Sequence, residues 1–214
     1  MTIMPFDQSH IDQAARLFAR RVQESVPEDL IGSGLHTPES WCPYIKWLCG
    51  AGEGVALTDG GRLAGYMLGL PIGAFMGPAP GIYCPEYGHG SLDPAVYPEM
   101  YRAAAHGWVA GGHITHGVSV LAGDEPAREA LFWQGFGLHV VDALLPGLSI
   151  PPGKEYEDDG VSIRLAVEED HEALNPLIAK HWDHLEASPV FLNWEEDDDI
   201  ANWMEREGCY AIVA

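Results

Sequence analysis

The sequence predicts a mixed α/β fold organised around one mixed β-sheet, and three stretches carry that expectation. Gly54 to Leu70 reads as two apolar strands joined by Asp59-Gly60-Gly61, a turn whose glycines supply the positive φ of a tight hairpin. Gly117 to Leu144 reads as a strand, a capped helix of about three turns and a second strand. Ile3 to Val22 reads as a short strand followed by an amphipathic helix. Strands and helices alternating in this way argue against an all-helical bundle or a β-sandwich and call for a sheet with helices packed on it.

Taken in order, Ile3 to Phe6 forms an apolar start, and Ser9 is the expected cap of a helix whose Ile11, Ala14, Ala15, Phe18 and Val22 share one face. Between Pro27 and Gly54 the chain is broken by Gly, Pro and Ser, with Trp41, Tyr44, Ile45, Trp47 and Leu48 spaced for a second helix. The hairpin follows, then a Gly/Pro loop over 71–80 and an apolar stretch over 81–90. Tyr97 to Val109 is helical by period, with Met100, Tyr101, Ala104 and Trp108 apolar and Gly111-Gly112 as its stop. Val118 to Val120 is the next strand. Asp124 then caps a helix carrying Pro126 in its first turn and Ala127, Ala130, Leu131 and Gln134 at helical spacing, until Gly135 ends it. Leu138 to Leu144 is the closing strand, and residues 1–145 are expected to make a seven-stranded or near-seven-stranded sheet.

The order of these elements, and the letters Asp124, Ala127, Ala130, Leu131, Gly135 and Phe136, resemble the GNAT superfamily, the acetyl-CoA-dependent N-acetyltransferases. That family often reads Asn-x-x-Ala-x-x-Leu/Phe-Tyr-x-x-x-Gly-Phe here. Leu63-Ala64-Gly65-Tyr66 similarly resembles its second hairpin strand. The resemblance implies acetyl-CoA as co-substrate, an acceptor pocket formed around the first two helices, and a phosphate-binding loop before the third. Its loop reads Arg/Gln-x-x-Gly-x-Gly/Ala, where backbone N–H groups and the helix dipole hold the pyrophosphate. At that place stand Gly88, His89 and Gly90, which with Asp124 are the expected cofactor-binding residues. Asp93 and Asp124 both bring negative charge toward the phosphates, so acetyl-CoA is expected to bind poorly. The family's Tyr, often the acid that protonates the leaving thiolate, is Leu131; Tyr87 and His89 are the candidate replacements.

Residues 146–160 combine Pro, Gly and acid and read as a linker. From 161 the pattern restarts: Ser9-His10 parallels Asp170-His171, and Val55-Ala56-Leu57 parallels Tyr210-Ala211-Ile212. Residues 161–214 are therefore expected to be the N-terminal part of a second, incomplete copy, in a chain that is a piece of a longer protein. Tandem proteins of the family often keep chemistry in one copy, and since the first copy here lacks the Arg/Gln loop, the cap Asn and the Tyr acid, catalysis is expected in the second. The alternative is a non-catalytic binding or scaffold domain.

The net charge of −21 is uneven: residues 1–152 hold 7 Lys and Arg against 15 Asp and Glu, and residues 153–214 hold 4 against 17. Such a surface repels nucleic acid and anionic membranes. It suits a small-molecule or peptide amine, cationic if the charge attracts the substrate; the alternative is a solvated acidic surface serving solubility, since the acids fall in runs such as Glu195 to Asp199, and a homodimer is a further expectation. Cys42, Cys49, Cys84 and Cys209 show no paired spacing, so buried thiols are expected rather than disulfides. His113/His116 and His181/His184 lack a third ligand at recognised spacing, and no metal site is expected. The N-terminus has neither a basic nor an apolar leader segment, which makes a cytoplasmic address the default.

Overall fold

The computed structural model describes residues 1–142, 160, 162–187 and 200–214. The chain divides into two compact units, Met1–Leu144 and Leu145–Ala214.

The first unit is a mixed α/β domain. Its strands are β1 (Thr2–Pro5), β2 (Glu53–Asp59), β3 (Arg62–Ile72), β4 (Gly81–Cys84), β5 (His89–Ser91) and β6 (Thr115–Val118). They lie in the order β1-β2-β3-β4-β6, with β5 also paired to β3. All neighbours are antiparallel except β4 and β6, which run parallel from Gly81 opposite Thr115 to Cys84 opposite Val118. Asp59 pairs with Arg62, so Gly60 and Gly61 alone make the hairpin turn, at φ of 55° and 80°. Two successive positive φ values match the right-handed twist of the strands, which is why the turn needs glycine at both places.

Helices α1 (Ile11–Ser25), the single turn α2 (Glu28–Ile31) and α3 (Pro38–Ala51) precede the hairpin, and α4 (Tyr97–Ala110) and α5 (Glu125–Phe132) flank β6. The core therefore lies in two layers. Ala14, Phe18 and Val22 of α1 and Ile45 and Leu48 of α3 pack with Ala56, Tyr66 and Leu68 of the sheet. Met100, Ala104 and Trp108 of α4 and Ala127 and Leu131 of α5 pack with Leu57, Met67 and Ile82. Because β3 is covered on both faces, Leu63 to Leu68 is buried without interruption. Residues on one strand alternate between the layers, as pleating requires.

Three sequence expectations change. Asp7, not Ser9, is the capping residue: its carboxylate accepts from Ser9 N–H at 2.8 Å and heads a short 3-10 turn that runs into α1. The strand expected over 118–120 is β6, at Thr115–Val118. The closing strand over 138–144 is absent among the described residues: 138–142 carry no ladder, and Leu138, Val140 and Val141 are exposed; positions 143 and 144 lie outside the described residues. Strand composition there meets no paired partner, so local propensity alone does not make a strand. Among the described residues the sheet of the first unit has six strands, where seven or nearly seven were expected.

The second unit comprises β7 (Arg164–Leu165), α6 (His171–Glu186), α7 (Ile200–Met204) and β8 (Ile212–Val213), with β7 antiparallel to β8. Two of its hydrogen bonds have counterparts at the start of the first unit. Phe6 N–H donates to Gly54 C=O at 3.1 Å, and Ala166 N–H donates to Ala211 C=O at 2.9 Å. Asp7 N–H donates to His10 Nδ1 at 3.1 Å, and Val167 N–H donates to Asp170 Oδ2 at 2.9 Å. These bonds align His10 with Asp170 and Gly54 with Ala211, a register shifted by one and two residues from the one read in the sequence. Arg164 grips Asp170 with both guanidinium nitrogens, at 2.5 and 2.8 Å, which holds that carboxyl well below the usual range.

Trp108 joins α4 to the sheet: it is 1% exposed, donates from Nε1 to Glu53 C=O at 3.2 Å and meets His116 edge-on. Trp108→Ala should lower the unfolding free energy by about 3–5 kcal/mol in denaturant titration; a loss below ~1 kcal/mol would show that α4 does not rest on this contact.

Candidate functional site

The parallel ladder between β4 and β6 ends where Ser119 N–H donates to Cys84 C=O at 2.9 Å. Beyond it the two backbones are no longer bonded to one another. Residues 85–88 leave the sheet as a 3-10 turn, and β5 returns only to β3, with Met67 opposite His89 and Gly65 opposite Ser91. In a sheet of this kind a ligand enters where neighbouring parallel strands part, beyond their carboxyl ends. Here side chains occupy that notch.

Arg21 is the central one. It lies on the buried face of α1, between Phe18 and Val22, and is 6% exposed. Its Nε donates to Asp124 Oδ2 at 2.6 Å, and its Nη1 donates to the His89 backbone carbonyl. Burial works against its charge, but Tyr97 and Asp124 outweigh burial and raise its pKa. Asp124 stands at the start of α5, where its other oxygen accepts from Ala127 N–H at 3.1 Å. Gly123 makes this approach possible, since a Cβ there would lie 2.2 Å from the Ser25 carbonyl oxygen at the end of α1.

His89 spans the notch itself. Nε2 lies 2.9 Å from the Ser119 carbonyl, an acceptor, so Nε2 carries the proton. Nδ1 is then the acceptor for the Tyr97 hydroxyl at 2.9 Å, with Arg21 Nη1 at 3.4 Å. Burial, then the Arg21 charge, hold the imidazole well below its ordinary pKa. The ring is fully buried, neutral and bonded at both nitrogens, an arrangement that ties β5 to the chain just beyond β6 and to the start of α4 and offers no proton to a ligand. Burial likewise pushes the Tyr97 phenol up.

Outside this network lies a cleft of about 260 Å³, lined by Arg21, Glu24, Ser91, Tyr97, Gly123 and Asp124 among others. Small-molecule sites usually measure ~300–1,000 Å³. Its charges and donors do not fit a pyrophosphate. The one cation of the lining is bonded to one of the two carboxylates there. One N–H at each of the two helix starts that border the cleft is also taken: Asp93 accepts from Ala95 N–H at 2.9 Å, and Asp124 accepts from Ala127 N–H at 3.1 Å. The remaining Arg21 donor, Nη2, is buried without a partner. At these two helix starts the chain's own carboxylates stand where a bound anion would accept.

The other sequence-derived positions fall as follows. Gly88 closes the 3-10 turn and Gly90 lies in β5 beside Tyr66 and Arg21, so neither opens a helix as the loop reading required. Tyr87 sits apart from His89, in an aromatic group with Trp41 and Tyr44. Leu131 is 3% exposed, in the core beneath α5. His116 bonds Tyr101 and the His113 carbonyl. Among the described residues no group of three His, Cys, Asp or Glu could hold a metal ion, and no helix is long and apolar enough to cross a membrane. Arg21, Tyr97 and Ser119 are the residues that sequence reading missed. The available signal was a cation at position 21 on the apolar face of α1.

Two outcomes follow from this network. Arg21→Ala leaves Asp124 with its charge half-buried and unpaired, and should cost about 3–5 kcal/mol of unfolding free energy. Because the folded-state pKa of His89 is depressed, stability is held above the ordinary histidine range and lost as pH falls below ~6.5, where the unfolded chain alone takes up the proton. The His89 ring signals in NMR should therefore not titrate between pH 8 and 5.5. A midpoint near 6.5 would contradict the buried neutral assignment.

No family model matches the sequence, and no curated protein matches it. Solved structures do match. A GCN5-related N-acetyltransferase from Ralstonia eutropha JMP134 superposes with a TM-score of 0.54 at 10% identity, covering 68% of this chain and 97% of its own. The tetramutant of the BH1408 protein from Bacillus halodurans superposes with a TM-score of 0.52 at 14% identity, covering 68% and 99%. The shared portion of this chain has the size of the first unit, and the chain accordingly has a GNAT-like acetyltransferase fold.

Proposed function

We propose that the first unit is a non-catalytic domain of acetyltransferase fold in a protein that moves an acetyl group from acetyl-CoA to an amine, with the transfer assigned to a second copy that begins near Arg164. One observation carries the reading: the notch between β5 and the chain beyond β6 is closed by Arg21, Asp124, His89 and Tyr97. Apart from Arg21 Nη2, the polar side-chain atoms that face one another here already have partners inside the protein. A ligand carrying phosphates would have to displace Asp124 from Arg21 and leave that carboxylate uncompensated, which is costly in a half-buried site.

Two further features support this assignment. Leu131 cannot donate a proton, and it is part of the core rather than of the cleft wall. His89 has no free nitrogen with which to act as acid or base. The assignment to a second copy rests on the backbone and capping pattern that recurs at 164–170 and 211–213. The acceptor in this reading is a small-molecule or peptide amine, and the acidic surface favours a cationic one.

Calorimetric titration of the 214-residue chain with acetyl-CoA should show no binding at micromolar ligand. Micromolar affinity would overturn the non-catalytic reading of the first unit. Asp124→Asn keeps a side-chain oxygen for the Ala127 N–H while removing the charge that neutralises Arg21. This variant should be less stable than the parent and should gain measurable affinity for pyrophosphate; unchanged affinity would show that Asp124 does not exclude phosphates.

A further inference from the structure

Trp41, Tyr44 and Tyr87 form an aromatic group that the fold holds in place but does not bury. The rings lie 5.7 to 6.3 Å apart, centroid to centroid, with Trp41 and Tyr87 stacked and Tyr44 tilted against both. The Trp41 ring and the Tyr87 backbone are anchored from below. Trp41 stands edge-on to the buried Phe18 at 4.6 Å and donates from Nε1 to Leu35 C=O at 2.7 Å. Tyr87 belongs to the 3-10 turn between β4 and β5, and its carbonyl accepts from the fully buried Tyr66 hydroxyl at 2.9 Å. Tyr44 is on α3 three residues after Trp41 and is 52% exposed. The Trp41 ring, so held, needs little reordering to accept a ligand.

Charge points to the kind of ligand. Glu86 precedes Tyr87, and its field reaches that ring. Glu86 enters no ion pair among the described residues. The faces of Trp and Tyr attract cations through the ring quadrupole, and a cation that is weakly hydrated loses least in leaving water for them. A primary ammonium would instead need hydrogen-bond acceptors gathered on one point, which three rings do not provide.

We propose that Trp41, Tyr44 and Tyr87 bind a quaternary ammonium group, with Glu86 supplying the negative field. The group could be carried by a small molecule or by a trimethylated lysine side chain. The site is distinct from the closed notch and needs no acetyl-CoA, so its test is independent of the acyl-transfer reading.

The test is an NMR and tryptophan-fluorescence titration of the full chain with choline, with its neutral isostere 3,3-dimethylbutan-1-ol, and with a trimethyl-lysine peptide beside its unmethylated form. Choline should shift the Trp41 indole signal and bind at least ~10-fold more tightly than the neutral isostere. Tyr44→Leu, at an exposed position where the fold is not at risk, should weaken choline binding by about 3- to 5-fold. Tighter binding of the methylated peptide than of choline would place the group on a protein; the reverse order would place it on a small molecule. Equal binding of choline and the neutral isostere, or no loss in Tyr44→Leu, would overturn the proposal.

Discussion

A buried guanidinium must be paired wherever the chain places it, and in this protein that requirement organises the first unit. Arg21 comes from α1, whose other core-facing residues are apolar, and it reaches Asp124 at the start of α5 and the backbone of β5. Three elements that sequence separates by up to 103 positions are thereby fixed to one side chain. Taking both charges out of water costs several kcal/mol per ion, and their attraction offsets this only with good geometry and further hydrogen bonds. The second oxygen of Asp124 and the His89 carbonyl supply those bonds. Such a pair adds little to stability over an apolar substitute, but it specifies one arrangement of α1, β5 and α5.

The same network changes what the fold can do. Where two parallel strands part, a mixed sheet ordinarily offers a site with free N–H groups from adjoining helix starts. In this chain both helix starts are capped by aspartates, at Asp93 and Asp124, and the gap between the strands is spanned by a neutral imidazole. A capping carboxylate and a bound phosphate compete for the same donors. Local helix stability at these termini and anion binding are therefore mutually exclusive, and the sequence has taken the first. What stays open is the aromatic surface over α3 and the 3-10 turn, on the side of the sheet where α1 and α3 pack.

The elements whose limits depend on local signals were legible in the sequence. The hairpin at Gly60-Gly61, the helices at 11–25, 97–110 and 125–132, and the alternation of strands and helices followed from periodicity, turn glycines and capping residues. Asp124 was read correctly as an N-cap because capping is decided within three residues of the chain. The strand expected at 138–144 failed for the complementary reason. A strand exists only when a neighbour completes its ladder, and β-propensity describes fitness for a pleated surface rather than the presence of one.

The candidate site divides along the same line. Sequence alone determined the fold class, the place of the parting strands and the presence of an aspartate at each bordering helix start, since each rests on short-range pattern. Gly88, His89 and Gly90 looked like a phosphate loop because two glycines flanking a polar residue serve a loop and a tightly packed strand equally well. Only the tertiary structure decided between them, by pairing β5 with β3 and burying the ring of His89. It alone decided, too, that a lone cation on an apolar helix face is the partner of Asp124, because which charges meet in a core is set by the packing of helices onto the sheet, and no local property of either residue records it.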